Sequence, residues 1–133
     1  MDEGVLDRML LAARGVRANA YAPYSGYPVG AAVLGADGTV YAGANVENAA
    51  FPASRCAEQS AVQAMVSAGC RELVAVAVVT GGARPVAPCG TCRQVLAEFG
   101  PDAVVVLEAG DGRRETTSVR ELLTRAFGRA DLE

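Results

Sequence analysis

Between Asp2 and Asn19 the apolar positions Val5, Met9, Ala12 and Val16 recur at three- and four-residue spacing, with Arg8, Arg14 and Arg17 elsewhere on the turn. This is the pattern of an amphipathic first helix. Residues 20–28 carry Pro23, Gly26 and Pro28 and cannot continue it, so a loop holding three of the four tyrosines is predicted. Val29 to Leu34 and Thr39 to Glu47 have β-type patterning on either side of Gly35-Ala-Asp-Gly38, whose Asp-Gly pair marks a hairpin turn. After a second loop, Ser54 is placed to cap a helix with Ala57, Ala61 and Met65 on one row and Val62 and Val66 beside it, ending at Gly69. Leu73 to Thr80 is apolar on both faces, as a central strand requires. A helix from Cys89 to Phe99, stopped by Gly100-Pro101, precedes a second buried strand, Ala103 to Leu107. An edge strand over 113–117 and a last helix from Val119 to Ala126 complete the order α-β-β-α-β-α-β-β-α, which argues an α/β layered fold around a mixed sheet. No repeat or linker divides the 133 residues, and one domain over 1–133 is expected.

Composition narrows the chemistry. There is no His, which excludes Ser-His-Asp triads, Cys-His pairs and histidine zinc helices. All 12 basic residues are Arg, so Schiff-base catalysis and a Walker A lysine are excluded as well. Acid–base work falls to Asp, Glu, Cys or Tyr. A formal net charge of −3 is the wrong sign for holding nucleic acid through its phosphates, and favours a small substrate. Neither a signal peptide nor a membrane span is present in the pattern, and a cytoplasmic location is expected. In a reducing compartment the four cysteines are free, metal-bound or redox-active rather than structural disulfides.

Three of them form a constellation. Cys89-Gly-Thr-Cys92 follows Pro88 and opens a predicted helix, so both sulfurs lie one turn apart at the positive end of the helix, which favours thiolates. Cys56, in Ser54-Arg-Cys-Ala-Glu58, lies at the start of another predicted helix. Two helix starts can converge on one ion, and three thiolates plus water describe an open, catalytic zinc site. Glu58 is then a carboxylate beside the ion. Cys70, between Gly69 and a strand, reads as a small, partly buried residue.

At these positions the chain resembles the compact, three-cysteine form of the cytidine deaminase family. A ligand followed two residues later by Glu, then Pro-Cys-x-x-Cys, is the signature of zinc deaminases; here it reads Cys56-Ala57-Glu58 and Pro88-Cys89-Gly90-Thr91-Cys92. The resemblance extends to Tyr24-Ser25, Val29-Gly30-Ala31-Ala32, Asn45-Val46-Glu47-Asn48, Arg93-Gln94, Leu122-Leu123 and Phe127-Gly128. It implies a three-layer α-β-α fold with a five-stranded mixed sheet. It also implies one Zn²⁺ per chain on Cys56, Cys89 and Cys92, and hydrolytic deamination of cytidine, with 2′-deoxycytidine, in pyrimidine salvage. Glu58 would carry a proton from water to N3 and would then protonate the leaving amino group. The resemblance assigns Ala57 to the base carbonyl, Asn45 and Glu47 to ribose hydroxyls and Tyr27 to an aromatic wall. Phe51 and Phe127 match residues lent to a neighbouring subunit's pocket, and a homotetramer with shared sites is expected. No nucleic-acid or membrane partner is implied.

Two departures from the family pattern stand out. Gln59 occupies a position where many compact members carry Arg, leaving Arg55 or Arg93 to offset the negative charge of three thiolates on a divalent ion. Thr124-Arg125 replaces a usual Pro after the leucine pair, which bears on the chain path to Phe127. Other readings are a deaminase of modified cytosine nucleosides of the blasticidin S type, a thiol-redox pair at Cys89 and Cys92, and a non-catalytic zinc site. The redox reading explains neither Cys56-Ala57-Glu58 nor the Asn45–Asn48 segment.

Overall fold

In the computed structural model, which describes residues 1–133, helix α1 (Glu3–Arg17) starts where Asp2 caps it, Oδ1 accepting from the Gly4 N–H at 2.7 Å. Arg14 and Arg17 in its last turn suit the negative end of the helix. Its apolar stripe buries Met9, Leu10 and Ala13. The chain then forms β1 (Val29–Gly35) and β2 (Val40–Ala44), joined by the expected hairpin, with Gly38 at φ +81°. Helix α2 (Ala57–Ser67), β3 (Leu73–Thr80), α3 (Gly90–Phe99), β4 (Val104–Glu108), β5 (Arg114–Ser118) and the short α4 (Val119–Leu122) follow.

The five strands make one mixed sheet in the order β2-β1-β3-β4-β5. Only β3 and β4 are parallel, with Val76 opposite Val105; α3 is the crossover between them. β3 pairs on both sides and is almost wholly buried, which is why its sequence shows no polar face. One core lies under α1, where Met9, Leu10 and Ala13 meet Ala32, Ala77 and Val79. The larger core lies on the opposite face, where Ala61, Val62, Met65 and Leu96 cover Val33, Val76, Val78 and Val105. The three-layer α-β-α arrangement follows, as the family resemblance implied. Two glycines set the layer spacing. A Cβ on Gly30 would stand 1.9 Å from the Ala13 carbonyl oxygen, and one on Gly43 2.3 Å from the Ala61 nitrogen, so α1 and α2 each approach the sheet where a side chain is missing.

Three boundaries differ from the sequence reading. β2 stops at Ala44 rather than Glu47, because its partner strand begins at Val29, after Pro28, which has no N–H for the ladder. Asn45 closes the end instead, its Oδ1 accepting from the Val29 N–H at 2.8 Å. The N-cap of α2 is Cys56 and not Ser54. Val46 and Arg55 exchange both backbone hydrogen bonds, at 2.9 and 2.8 Å, which keeps the chain extended up to Arg55; Ser54 Oγ accepts from the Asn48 N–H. Finally, α4 ends at Leu122 rather than Ala126, since the Leu122 carbonyl accepts from Arg93 Nη1 at 2.8 Å and Arg125 is left-handed at φ +53°.

A charged cluster fastens α1 to the far half of the sheet. Glu108, only 4% exposed at the end of β4, receives Arg14 Nε at 2.8 Å and Arg14 Nη2 at 2.6 Å on its two oxygens, and Arg114 Nε at 3.1 Å. The Arg14 hydrogen bonds, with those of Arg114, hold the carboxyl below its ordinary range against the opposing effect of burial. A carboxyl that binds its proton less readily when folded stabilises the chain above its unfolded value of about 4.3, and that contribution disappears as pH falls through the depressed folded value. Glu108→Gln is therefore expected to lower stability at pH 7 by about 1–3 kcal/mol, the range for hydrogen bonds to charged groups, and to flatten the acid limb of stability against pH. Urea unfolding at pH 7 and pH 3.5 checks both. A variant with an unaltered acid limb would show that the Arg14–Glu108 pair contributes nothing to pH dependence.

Candidate active site

The starts of α2 and α3 meet beside the carboxyl end of β3. Cys56 and Cys89 are the residues capping the two helices, and Cys92 lies in the first turn of α3. Their sulfurs all lie within 4.8 Å of one another, with Cys56 to Cys89 at 3.8 Å and Cys89 to Cys92 at 3.3 Å. All three are free thiols. Sulfurs around a tetrahedral ion with Zn–S bonds of about 2.3 Å stand about 3.8 Å apart, so the trio matches the size of a zinc coordination sphere. No fourth His, Cys, Asp or Glu joins the cluster, so a four-coordinate ion held by these sulfurs would keep one position for water or substrate. Cys70 is elsewhere, half-buried, its thiol 3.5 Å from the Glu72 carbonyl oxygen.

The thiols polarise one another. Hydrogen bonding from Cys92 and, less strongly, from Cys89 draws the Cys56 thiol down to about 6 against the cost of its partial burial, whereas Cys92, which donates to Cys56 and is buried, is pushed up. Gln59 spans the cluster: its Oε1 accepts from the Cys56 N–H at 3.4 Å and its Nε2 donates to Cys92 Sγ at 3.7 Å. The neighbouring arginines turn away. Arg55 Nη1 donates to the Pro52 and Ser54 carbonyls, while Arg93 donates to those of Pro88 and Leu122. Gln59 is thus the side chain that donates to a sulfur of the trio, that of Cys92.

Glu58 is the second residue of α2, 5% exposed. Burial, with the neighbouring Cys56 charge adding to it, raises its carboxyl to about 7. A carboxyl poised near neutrality beside a metal-binding trio can both take up and release a proton at physiological pH. The same cavity is bordered by Tyr27, Asn45, Glu47, Ala57 and the three cysteines, so the structure brings together the residues expected to hold the base and one end of the sugar. Asn45 is buried and wired to the backbone, with Nδ2 donating to the Tyr27 carbonyl at 3.0 Å. Glu47 is half-buried and accepts from the Tyr24 and Ser25 N–H groups, each at 3.0 Å, and from the Ser25 hydroxyl. Those hydrogen bonds keep it ionised below the usual carboxylate range.

Phe51 and Phe127 are not part of this cavity. Phe51, 72% exposed, packs edge-to-face on Tyr24 at 6.2 Å between centroids, in the adjoining hollow that Glu47 and Cys56 also border. Phe127, 59% exposed, lines a separate groove with Gln94, Arg120 and Leu123, where its carbonyl accepts from Gln94 Nε2 at 2.8 Å. Among the polar residues bordering the cavity, Ser25 and Thr80 carry no expected role from the sequence. Thr80 Oγ1 is buried at the end of β3 with no hydrogen-bond partner. The sequence marks Ser25 only as part of the Tyr24-Ser25 resemblance, and Thr80 only as the end of a strand.

Comparison with known proteins agrees with this geometry. Residues 5–108 match the family model described as the cytidine and deoxycytidylate deaminase zinc-binding region. A cytidine deaminase of Sporosarcina psychrophila is 44% identical over 128 residues, covering 96% of this chain and 94% of that one. One from Halalkalibacterium halodurans is 45% identical over 130 residues, covering 96% and 98%. Among solved structures, the cytidine deaminase of Burkholderia pseudomallei superposes with a TM-score of 0.87 at 44% identity, over 91% of this chain and 98% of that one. That of Mycobacterium tuberculosis superposes with a TM-score of 0.79 at 38% identity, over 92% and 97%.

Proposed function

The chain belongs to the cytidine and deoxycytidylate deaminase family, and we propose that its site hydrolyses cytidine to uridine and ammonia, with 2′-deoxycytidine as a second substrate and pyrimidine salvage as the purpose. The observation that carries the reading is a buried carboxyl near pH 7, Glu58, in one cavity with three thiols spaced for zinc. Zinc held by Cys56, Cys89 and Cys92 supplies Lewis acidity that makes water a competent nucleophile near neutral pH.

The chain's own groups do the rest. Glu58 accepts a proton from the attacking water and delivers it to N3 of the pyrimidine; it then takes the remaining proton of the new C4 hydroxyl and passes it to the amino group, which leaves as ammonia as the C4 carbonyl forms, so one carboxyl serves as base and acid in turn. Burial of the carboxyl excludes bulk water from the proton it carries. Ala57, at the first position of α2, offers a backbone N–H free of intrahelical partners to the base carbonyl. Tyr27 forms a wall of the base pocket; Asn45, through the Nδ2 hydrogen not taken by Tyr27, and Glu47 receive the ribose hydroxyls. Gln59 donates to Cys92 and moderates the charge of the thiol trio without adding a cation.

Phe51 and Phe127 close the pocket of a neighbouring copy in a homotetramer, a reading supported by the exposure of both rings on a chain of ordinary burial. No helix is long and apolar enough to cross a membrane. The direct test is ultraviolet absorbance of cytidine and 2′-deoxycytidine incubated with zinc-loaded protein. Conversion to the uracil nucleosides is expected. A folded chain with one zinc that converts neither would overturn simple cytosine nucleosides as substrates.

A further inference from the structure

We infer that Ser25 is a positioning residue that holds the Glu47 carboxylate in a pose with a single free acceptor direction, offered to one sugar hydroxyl. The inference rests on the proposed nucleoside reaction and concerns a side chain with no role in it so far. An ionised carboxylate has about four acceptor directions. Two lie on Oε1, and both are taken, by the Tyr24 and Ser25 N–H groups at 3.0 Å each. On Oε2 one is taken by the Ser25 hydroxyl. That hydroxyl accepts in turn from the Tyr27 N–H at 3.0 Å, which orients its own proton toward Glu47 and away from any ligand. One direction on Oε2 remains, and Glu47 and Ser25 both border the cavity that contains Glu58.

The loop geometry supports this division of labour. Gly26, at φ +65°, turns the chain directly after Ser25, and its N–H bonds to the Ala22 carbonyl at 2.9 Å, so residues 22–27 wrap around the carboxylate. The two backbone donors anchor Glu47 without the Ser25 side chain. The hydroxyl alone decides how Oε2 is turned. Losing it leaves the loop and the charge in place but frees the second acceptor direction on Oε2 and lets the carboxylate pivot about the anchored Oε1. A group used equally in the bound substrate and in the transition state changes KM and not kcat when it is misaligned.

The test compares Ser25→Ala with the wild-type holoenzyme on two substrates, cytidine and 2′,3′-dideoxycytidine, which lacks the vicinal hydroxyls. On cytidine, KM is expected to rise by about tenfold, as for loss of an aligned hydrogen bond to a charged group, with kcat within about twofold. On dideoxycytidine the variant and wild type are expected to coincide within about twofold. Ser25→Thr, which keeps a hydroxyl, restores the cytidine KM, and Ser25→Ala adds nothing in a Glu47→Gln background. An unchanged cytidine KM overturns the inference, as does an equal loss on dideoxycytidine, which would mean a general loosening of the loop. Cytidine-dependent thermal stabilisation is measured alongside turnover. If wild type shows neither, the nucleoside reading fails and this inference with it; if wild type is active and the variant indistinguishable, the inference alone fails.

Discussion

Replacing Glu58 with Gln is expected to lower kcat on cytidine by about 10²–10⁴-fold, the span of general acid–base catalysis, while zinc stays at one per chain. Gln keeps the volume of a side chain that is only 5% exposed and packed at the start of α2, so a folding defect is not the expected cause. What it removes is the titrating oxygen. A neutral amide neither takes a proton from water nor returns one to N3 or the amino group. Burial opposes a charge at this position and raises the carboxyl to about 7 in the metal-free chain, so in that form the amide should make the chain slightly more stable at alkaline pH, where the native Glu58 is forced to ionise. The sign follows from linkage: a carboxyl whose folded value is raised costs stability once pH exceeds its unfolded value. Loss of turnover with retained zinc and retained or increased melting temperature above pH 7 identifies a proton carrier. Turnover within tenfold of wild type would place the proton transfer on another group.

The second large effect concerns the metal itself. Cys92→Ala is expected to leave less than about one-tenth of a zinc per chain after gel filtration, measured by elemental analysis, and to abolish turnover. Cys92 has no exposed surface, and its sulfur is contacted by both Cys89 and Gln59, so its loss removes the ligand that lies deepest in the protein. Two thiols then remain where an open catalytic site needs three protein ligands. A thermal readout separates metal loss from misfolding. Chelation should lower the melting temperature of the wild type, because an ion that binds only the folded chain stabilises it by mass action, and should leave that of Cys92→Ala unchanged. A variant retaining one zinc per chain would show that Cys92 is not a ligand.

The site residues were legible because their chemistry is local. Cys56-Ala57-Glu58 and Cys89-x-x-Cys92 each lie within one helical turn, so spacing alone placed each set at a helix start. Their meeting across 33 positions was not a matter of spacing; it required β3 to run to the carboxyl edge of the sheet and α3 to return from it. The misplaced boundaries share one cause. Ser54 is an ordinary capping residue and Val119–Ala126 an acceptable helix, but Arg55 is held extended by Val46 and the Leu122 carbonyl is taken by Arg93. In both cases a tertiary hydrogen bond outweighed a local preference worth about 1 kcal/mol or less. Ser25 shows the same limit for function. Its hydroxyl appeared as one of several in a loop until the fold brought Glu47 within its reach.

Sequence by itself determined the layers, the strand and helix types, the three sulfurs and the carboxyl, because hydrophobic period and helix-start chemistry act over a few residues. The tertiary structure decided where β2 and α4 stop, that Arg55 and Arg93 face carbonyls rather than sulfur, and how many acceptor directions Glu47 keeps for a ligand. Those outcomes depend on which distant groups compete for the same hydrogen bond, and that competition exists only once the chain is folded.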